Sequence, residues 1–207
     1  HLLEMGADIS ITDTYENTAL IVAAMVGAIE CIDILLSHPE CDVNAQNCKE
    51  FNALMEGVEN LEVVKRLIDR TDLSKETSDG TNVLHSACFT DCESIEIIQM
   101  LLEKYPFDVN QKGKAGFTGI ILAINKKRFD LVEYLLEKGA NLGIKNDGDE
   151  SGYGYVVALD DSETFFDSHE CPESEILSLL EPAVQFNRIK TLKKFMNVLL
   201  SSASLPK

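Results

Sequence analysis

Paired large aliphatic residues return along this chain at a nearly constant step. They stand at Leu2-Leu3, Leu35-Leu36, Leu67-Ile68, Leu101-Leu102 and Leu135-Leu136, so the steps are 33, 32, 34 and 34 residues. After each pair comes a second recurring string: Gly6-Ala7-Asp8-Ile9, Asp42-Val43-Asn44, Asp72-Leu73-Ser74, Asp108-Val109-Asn110 and Gly139-Ala140-Asn141-Leu142. A third column follows, in which Thr18, Asn52, Asn82 and Thr118 each precede small and apolar residues. Thr and Asn accept hydrogen bonds from the free amides of a helix's first turn, so a helix is predicted to begin at each. Self-similarity at this period confines the chain to a stacked-repeat architecture.

The unit reads as a polar turn, a short helix with small residues, a tight connection and a second helix such as Ile29 to Leu36 or Phe129 to Leu136. In the second helix the apolar residues fall at helical spacing, as with Leu61, Val64, Leu67 and Ile68 or Phe129, Val132, Leu135 and Leu136. Two short helices cannot cover their own apolar face. Neighbouring units must therefore stack, and the predicted fold is an all-α solenoid with one continuous core.

The string Asp79-Gly80-Thr81-Asn82-Val83-Leu84-His85-Ser86-Ala87, completed by Leu101-Leu102 and Asp108-Val109-Asn110, resembles the ankyrin repeat. The resemblance covers residues 1–146 as a truncated first repeat followed by four readable ones. No repeat keeps the family's proline after the capping residue. The second repeat is two residues short before Leu61 and the third two residues long around Asp91 to Ser94, both expected as changes of loop length at the helix connection. The resemblance implies a structural role for His85, bonded between turns, and non-catalytic protein recognition on the concave face. Carried over column by column, the partner-binding candidates are Asn17, Phe51, Thr81 and Phe117 before each cap, Tyr15 two residues earlier, and Met25, Phe89 and Asn125 seven residues after a cap. In the family an asparagine in the Leu-x5-Asp-Val-Asn arrangement can be hydroxylated, and Leu36 to Asn44 and Leu102 to Asn110 have that spacing, beside the reading in which each Asn fixes its turn. Two rival readings are a regulatory segment of a larger signalling or enzymatic polypeptide and a small-ligand sensor array.

Beyond Asp147 the pattern decays. Residues 147–182 hold eleven acidic side chains and no Lys or Arg, and are expected to form a degenerate repeat with an insertion at Asp160 to Pro172, solvated and flexible. Residues 183–207 then carry Arg188, Lys190, Lys193, Lys194 and Lys207 with no acid. Ile189, Leu192, Phe195, Met196 and Leu199 recur there at three and four residues, which predicts an amphipathic, basic capping helix.

The full sequence has 35 acidic against 18 basic residues, a net charge of -17. A DNA or RNA binder must neutralise phosphates with clustered cations, so nucleic acid is disfavoured and a protein or peptide with a basic patch is the expected partner. The six cysteines are scattered among helical segments, which predicts reduced thiols and a cytoplasmic or nuclear compartment. The longest apolar stretch, Ala19 to Ile29, is too short to span a membrane, and a monomer is expected. Catalytic constellations are missing from the spacing of His1, His38, His85 and His169, so no enzyme and no cofactor are expected. His85, Cys88 and Cys92 could share a helix face, but a fourth ligand is missing and no metal is expected. The acidic run has no calcium-loop pattern, and Gly148, Gly152 and Gly154 lack the lysine of a phosphate loop.

Overall fold

The computed structural model describes residues 3, 5–91, 94–159, 165–166, 169, 171–185 and 189–203. Its helices alternate as the period requires: α1 (Ala19–Met25) and α2 (Ile29–Leu36), α3 (Ala53–Glu56) and α4 (Leu61–Leu67), α5 (Val83–Phe89) and α6 (Glu96–Lys104), α7 (Gly119–Asn125) and α8 (Phe129–Glu137). Then come α9 (Gly152–Ala158), α10 (Glu173–Gln185) and α11 (Ile189–Ala203). Among the described residues extended pairing is confined to single antiparallel bridges at the turns: Thr12–Thr18, Glu76–Asn82, Lys112–Thr118 and Lys145–Ser151.

Each turn closes in the same way. The amide of its first residue donates to the carbonyl four residues on, at Asp13–Asn17, Asn47–Phe51, Thr77–Thr81, Gly113–Phe117 and Asn146–Glu150 (2.9–3.0 Å). Side-chain oxygens of Asp13, Asn47, Thr77 and Asn146 accept further amides inside their own turns, which fixes the loop before the helix begins. The fourth residue of each turn takes left-handed backbone. Gly80 and Gly116 do so at φ 81° and 73°, but Glu16, Glu50 and Asp149 do so at φ 61–63°.

Three of the four expected caps form. The side chains of Thr18, Asn52 and Asn82 accept from the amides of Ile21, Met55 and His85 at 3.3, 2.9 and 3.2 Å. Thr118 is the exception: its extended backbone suits a cap, but its hydroxyl makes no capping bond and is fully buried. Gly119, Ile120 and Ile121 are buried as well, so packing rather than capping sets the start of α7.

The inner helices α1, α3, α5, α7 and α9 stack as one row, each also packed against its own outer helix as far as α8. The outer helices α2, α4 and α6 stack as a second row. Leu54, Ile98, Leu101, Ile120 and Ile124 are fully buried between the rows. Close approach is enforced by small residues: a Cβ on Gly119 would stand 3.1 Å from Cys88 Sγ in the preceding inner helix. Ion pairs along the outer row, such as Asp33–Arg66 (2.9 Å) and Asp69–Lys104 (2.5 Å), lie on the outside, where each contributes about 0–1 kcal/mol.

Several expectations change. In the second repeat the shortening falls on the helix and not the loop: α3 ends at Glu56 after four residues whereas α1 and α5 have seven, and the connection to α4 is one residue longer than that from α1 to α2. Gly57 follows α3 and lies against α1, where a Cβ would meet Ala24 O at 2.9 Å, so the chain leaves the helix early and turns into Asn60, the cap of α4. The extra residues of the third repeat include Cys92 and Glu93, which lie outside the described residues. The boundary expected after Pro182 falls inside α10, and the capping helix begins at Ile189. Among the described side chains of α11, Thr191 and Phe195 are buried, while Met196 is exposed. One turn of helix thus buries Thr191 where the apolar pattern suggested Met196. Most of the insertion at Asp160 to Pro172 lies outside the described residues, but Phe165 and Phe166 within it are buried. Phe166 meets Phe195 edge-on, with ring centroids 5.3 Å apart and planes at 75°. Among the described residues no helix is long and apolar enough to cross a membrane.

In a linear array the end caps stabilise mainly their neighbours. Phe195→Ala should therefore cost about 3–5 kcal/mol locally, the usual range for emptying a buried aromatic site. Native-state hydrogen exchange should show amides of α9 to α11 losing protection while those of α1 to α6 keep theirs. Uniform loss along the chain would mean that α11 is not a local cap.

Candidate partner-binding face

Polar side chains cross from each turn to the next. Thr81 Oγ1 donates to Asp79 (2.8 Å) and accepts the amide of Lys114 in the following turn (3.0 Å). Asn17 donates to Asp13 and accepts from Asn47 Nδ2, both at 3.0 Å. These two candidates are therefore stitches between repeats. Asn44 and Asn110 do the same one column away, accepting the amides of Asp72 (2.7 Å) and Asn141 (2.8 Å). Asn110 also donates to the carbonyl of Gly139 at 3.0 Å.

His85 is buried at the centre of this stitching. Its Nε2–H donates to the carbonyl of Gln111 in the next turn (2.9 Å), and its Nδ1 accepts the amide of Asn82 (3.3 Å), closing a capping box. That arrangement needs a neutral ring. Burial accordingly lowers the His85 pKa from its usual value, opposed by the bond to Gln111 and by Asp79 and Glu76. Cys88, one turn further along α5, is wholly buried and its thiol is pushed up to about 12 by burial. Cys92 lies outside the described residues. Among the described residues no three His, Cys, Asp or Glu side chains converge as metal ligands would.

Phe51 and Phe117 are half-buried and pack against the core. The Phe117 ring lies 5.9 Å from that of Tyr155 on the next inner helix. Tyr155 donates its hydroxyl to Glu150 (2.8 Å) and accepts from Asn146 (3.0 Å), and burial with the Glu150 carboxylate beside it raises its pKa to about 12. Truncating Phe117 thus removes packing from between repeats and truncating Phe51 removes packing from the core, which neither ring's place before a cap discloses.

The remaining four candidates face solvent: Tyr15 is 64% exposed, Met25 47% and Phe89 57%, and Asn125 is exposed as well. Met25 and Phe89 end α1 and α5, and α3 between them lacks its last turn. Removing three helical residues shortens that side by about 4.5 Å. Lys126 Nζ sits 4.6 Å above the Phe89 ring and 2.9 Å from Asp91, so one cation serves an aromatic face and a carboxylate together. Arg128, which the sequence did not single out, anchors the connection after Phe89. Its buried guanidinium donates to the carbonyls of Ala87 (3.0 Å) and Ser94 (3.4 Å). A lone basic residue before an outer helix carries no pattern that would have disclosed this, since the equivalent positions hold Ala28 and Asn60.

A family model described as ankyrin repeats in three copies matches residues 1–77 and 55–146. Among curated proteins, the chain is similar to ankyrin repeat and SAM domain-containing protein 6 of Rattus norvegicus, 26% identical over 129 residues, which is 61% of this chain and 14% of that protein. It is similar to ankyrin repeat protein nuc-2 of Neurospora crassa, 27% identical over 190 residues, or 75% of this chain and 18% of that protein. A third relative is the ankyrin repeat and KH domain-containing protein mask-1 of Caenorhabditis elegans, 27% identical over 149 residues, or 70% of this chain and 5% of that protein. The chain thus spans less than a fifth of the length of each.

The stitching has a pH signature. Because the folded pKa of His85 lies below its unfolded value near 6.5, the unfolded chain binds the proton more readily. The contribution is complete above about pH 6.5 and is lost as pH falls through that value towards the folded pKa. Asp13, Asp72 and Asp79 are held below the usual carboxylate range by hydrogen bonds from Asn17, Ser74, and Thr77 and Thr81, so their contributions fail only below about pH 4. Urea midpoints should drop between pH 7.5 and 5.5 in the wild type. His85→Gln should be less stable at pH 7.5 and flatter across that window; an equally steep wild-type and variant profile would place the titration elsewhere.

Proposed function

The chain belongs to the ankyrin repeat family, and from that premise we propose that it is a non-catalytic recognition scaffold whose exposed turn and inner-helix side chains bind a protein partner bearing a basic patch. Ankyrin repeats are protein–protein interaction modules. The supporting observation is the pair Met25 and Phe89, large apolar side chains left open at the ends of α1 and α5 on either side of the shortened α3. Such residues supply hot-spot energy at small ordering cost when the frame beneath them is already rigid. Here the frame is held by the bonds from Asn17, Thr81, His85 and Asn110 to their neighbouring turns.

Charge directs the encounter. Asp13, Glu16, Glu50, Asp79, Asp147 and Asp149 are all exposed along the turns. With a net charge of -17, the chain attracts a cationic surface and repels an anionic one. Rim charges of this kind act chiefly on association rate and on salt dependence, whereas the apolar pair acts on dissociation. The concave face of the family is where the two requirements coincide, with Tyr15, Met25, Phe89 and Asn125 as its proposed partner-facing residues and Asn17, Thr81, Phe51 and Phe117 as the structure beneath them.

The test is a pull-down from cell extract with wild-type protein and the Met25→Ala/Phe89→Ala variant at low and high salt. The variant should lose about 2–4 kcal/mol of binding, the scale of paired hot spots, with little change in melting temperature. Wild-type recovery should fall as salt rises. Equal recovery by both proteins would move the interface elsewhere, and recovery indifferent to salt would remove the basic-patch requirement.

A further inference from the structure

The first repeat differs from the rest in one respect. At the position after each cap, Ala53, Val83, Gly119 and Gly152 are buried, but Ala19 is exposed. Four residues before each aliphatic pair Val63, Ile97 and Leu131 are buried, but Cys31 is exposed. Val26 is 72% exposed and Ile34 55%. Together with Val22 these residues line an open apolar groove of about 850 Å³ on α1 and α2. Each of the later faces is closed by the helix pair before it, as α1 and α2 close on α3 and α4. The groove is thus the same interface, repeated once more and left open.

Geometry at the start of the chain identifies the missing side. Gly6 takes left-handed backbone at φ 84° and its amide donates to Leu3 O at 3.0 Å. Gly139, which ends α8, is at φ 90° with its amide on Leu136 O at 2.9 Å. Leu3 and Gly6 therefore hold the exit geometry of an outer helix, with Leu3 in the column of Leu36 and Leu136.

We propose that the groove on α1 and α2 seats one further helix pair of the same repeat type, belonging to the same polypeptide and running out through Leu3 and Gly6. The alternatives, a second copy of the chain or a foreign apolar partner, lack the register that this exit geometry supplies. None of the proposed partner-facing residues Tyr15, Met25, Phe89 and Asn125 lines the groove, and Asp13 and Asn17, which do, belong to the turn beneath them.

Thiol accessibility tests it. Cys31 and Cys48 are both exposed in this chain, and only Cys31 lines the groove. The 207-residue chain and the full polypeptide expressed from its native start are each labelled with a small maleimide, and the two cysteine peptides are followed by mass spectrometry. Labelling of Cys31 should be at least tenfold slower in the full polypeptide, with Cys48 unchanged as the internal control. Equal Cys31 rates overturn the proposal. So does protection of Cys31 in the 207-residue chain that rises with concentration alongside a dimer in sedimentation, which gives the groove to a second copy. As a second readout, Val22→Lys/Ile34→Lys should lower the melting temperature of the full polypeptide and leave that of the 207-residue chain nearly unchanged; no loss in the full polypeptide would overturn it independently.

Discussion

Everything in this molecule depends on how closely successive inner helices approach. A helix pair with one apolar face has no stable existence alone, so the free energy of each unit resides in its borders with the units on either side. The border is narrow, and Ala19, Ala53, Gly119 and Gly152 follow their caps there, with Val83 the one larger residue. Gly119 against Cys88 shows the limit, since even one added methyl would press on the sulfur. From that approach follow the stacked row of inner helices, the stacking of α2, α4 and α6 outside it, and the need for something at each end to close the last face. At the C-terminal end the closure is made by α10, α11 and the Phe166–Phe195 contact.

Polar bonds then fix the rotation of each unit on the next, which apolar packing leaves loose. His85 to Gln111, Thr81 to Lys114, Asn44 to Asp72 and Asn110 to Asn141 all run from one unit's turn to the next. The first reaches a buried ring, so leaving it unmade would cost about 1–3 kcal/mol, whereas the other three are exposed to solvent and act chiefly by fixing geometry. The surface that results is preformed, which is what a recognition module needs if a partner's contacts are not to be consumed in ordering the binder.

The repeat was legible because its signal is redundant: the aliphatic pairs, the exit strings and the caps agree in register from Leu2 to Leu142. The structural role of His85 was legible from its motif, and the exposure of Met25 and Phe89 from their columns. Other features were hidden for physical reasons. The burial of Phe117 depends on Tyr155, a residue of the next unit whose position no local pattern announces. Phe165 and Phe166 sit among acids, and composition around them suggested solvent although two aromatic rings can bury themselves in any company that offers an apolar wall. Asn17 and Thr81 have the chemistry of a binding residue and of a stitch alike, and only the partner at hydrogen-bond distance decides between them. Ala19 and Cys31 look like ordinary core residues, because a sequence column records what a position is suited for and not whether its neighbour is present.

The acidic turn tips lead to a different kind of consequence. Glu16, Glu50 and Asp149 occupy left-handed backbone that Gly80 and Gly116 adopt freely, and a side chain in that conformation costs roughly 1–2 kcal/mol. Selection for stability alone would drive these sites to glycine, and a laboratory screen by heat or protease would enrich glycine there first. Each such gain would erase one carboxylate from the edge of the array. Thermal hardening and partner capture therefore pull this chain's turns in opposite directions, and the most heat-resistant descendants should be the slowest to find a cationic partner.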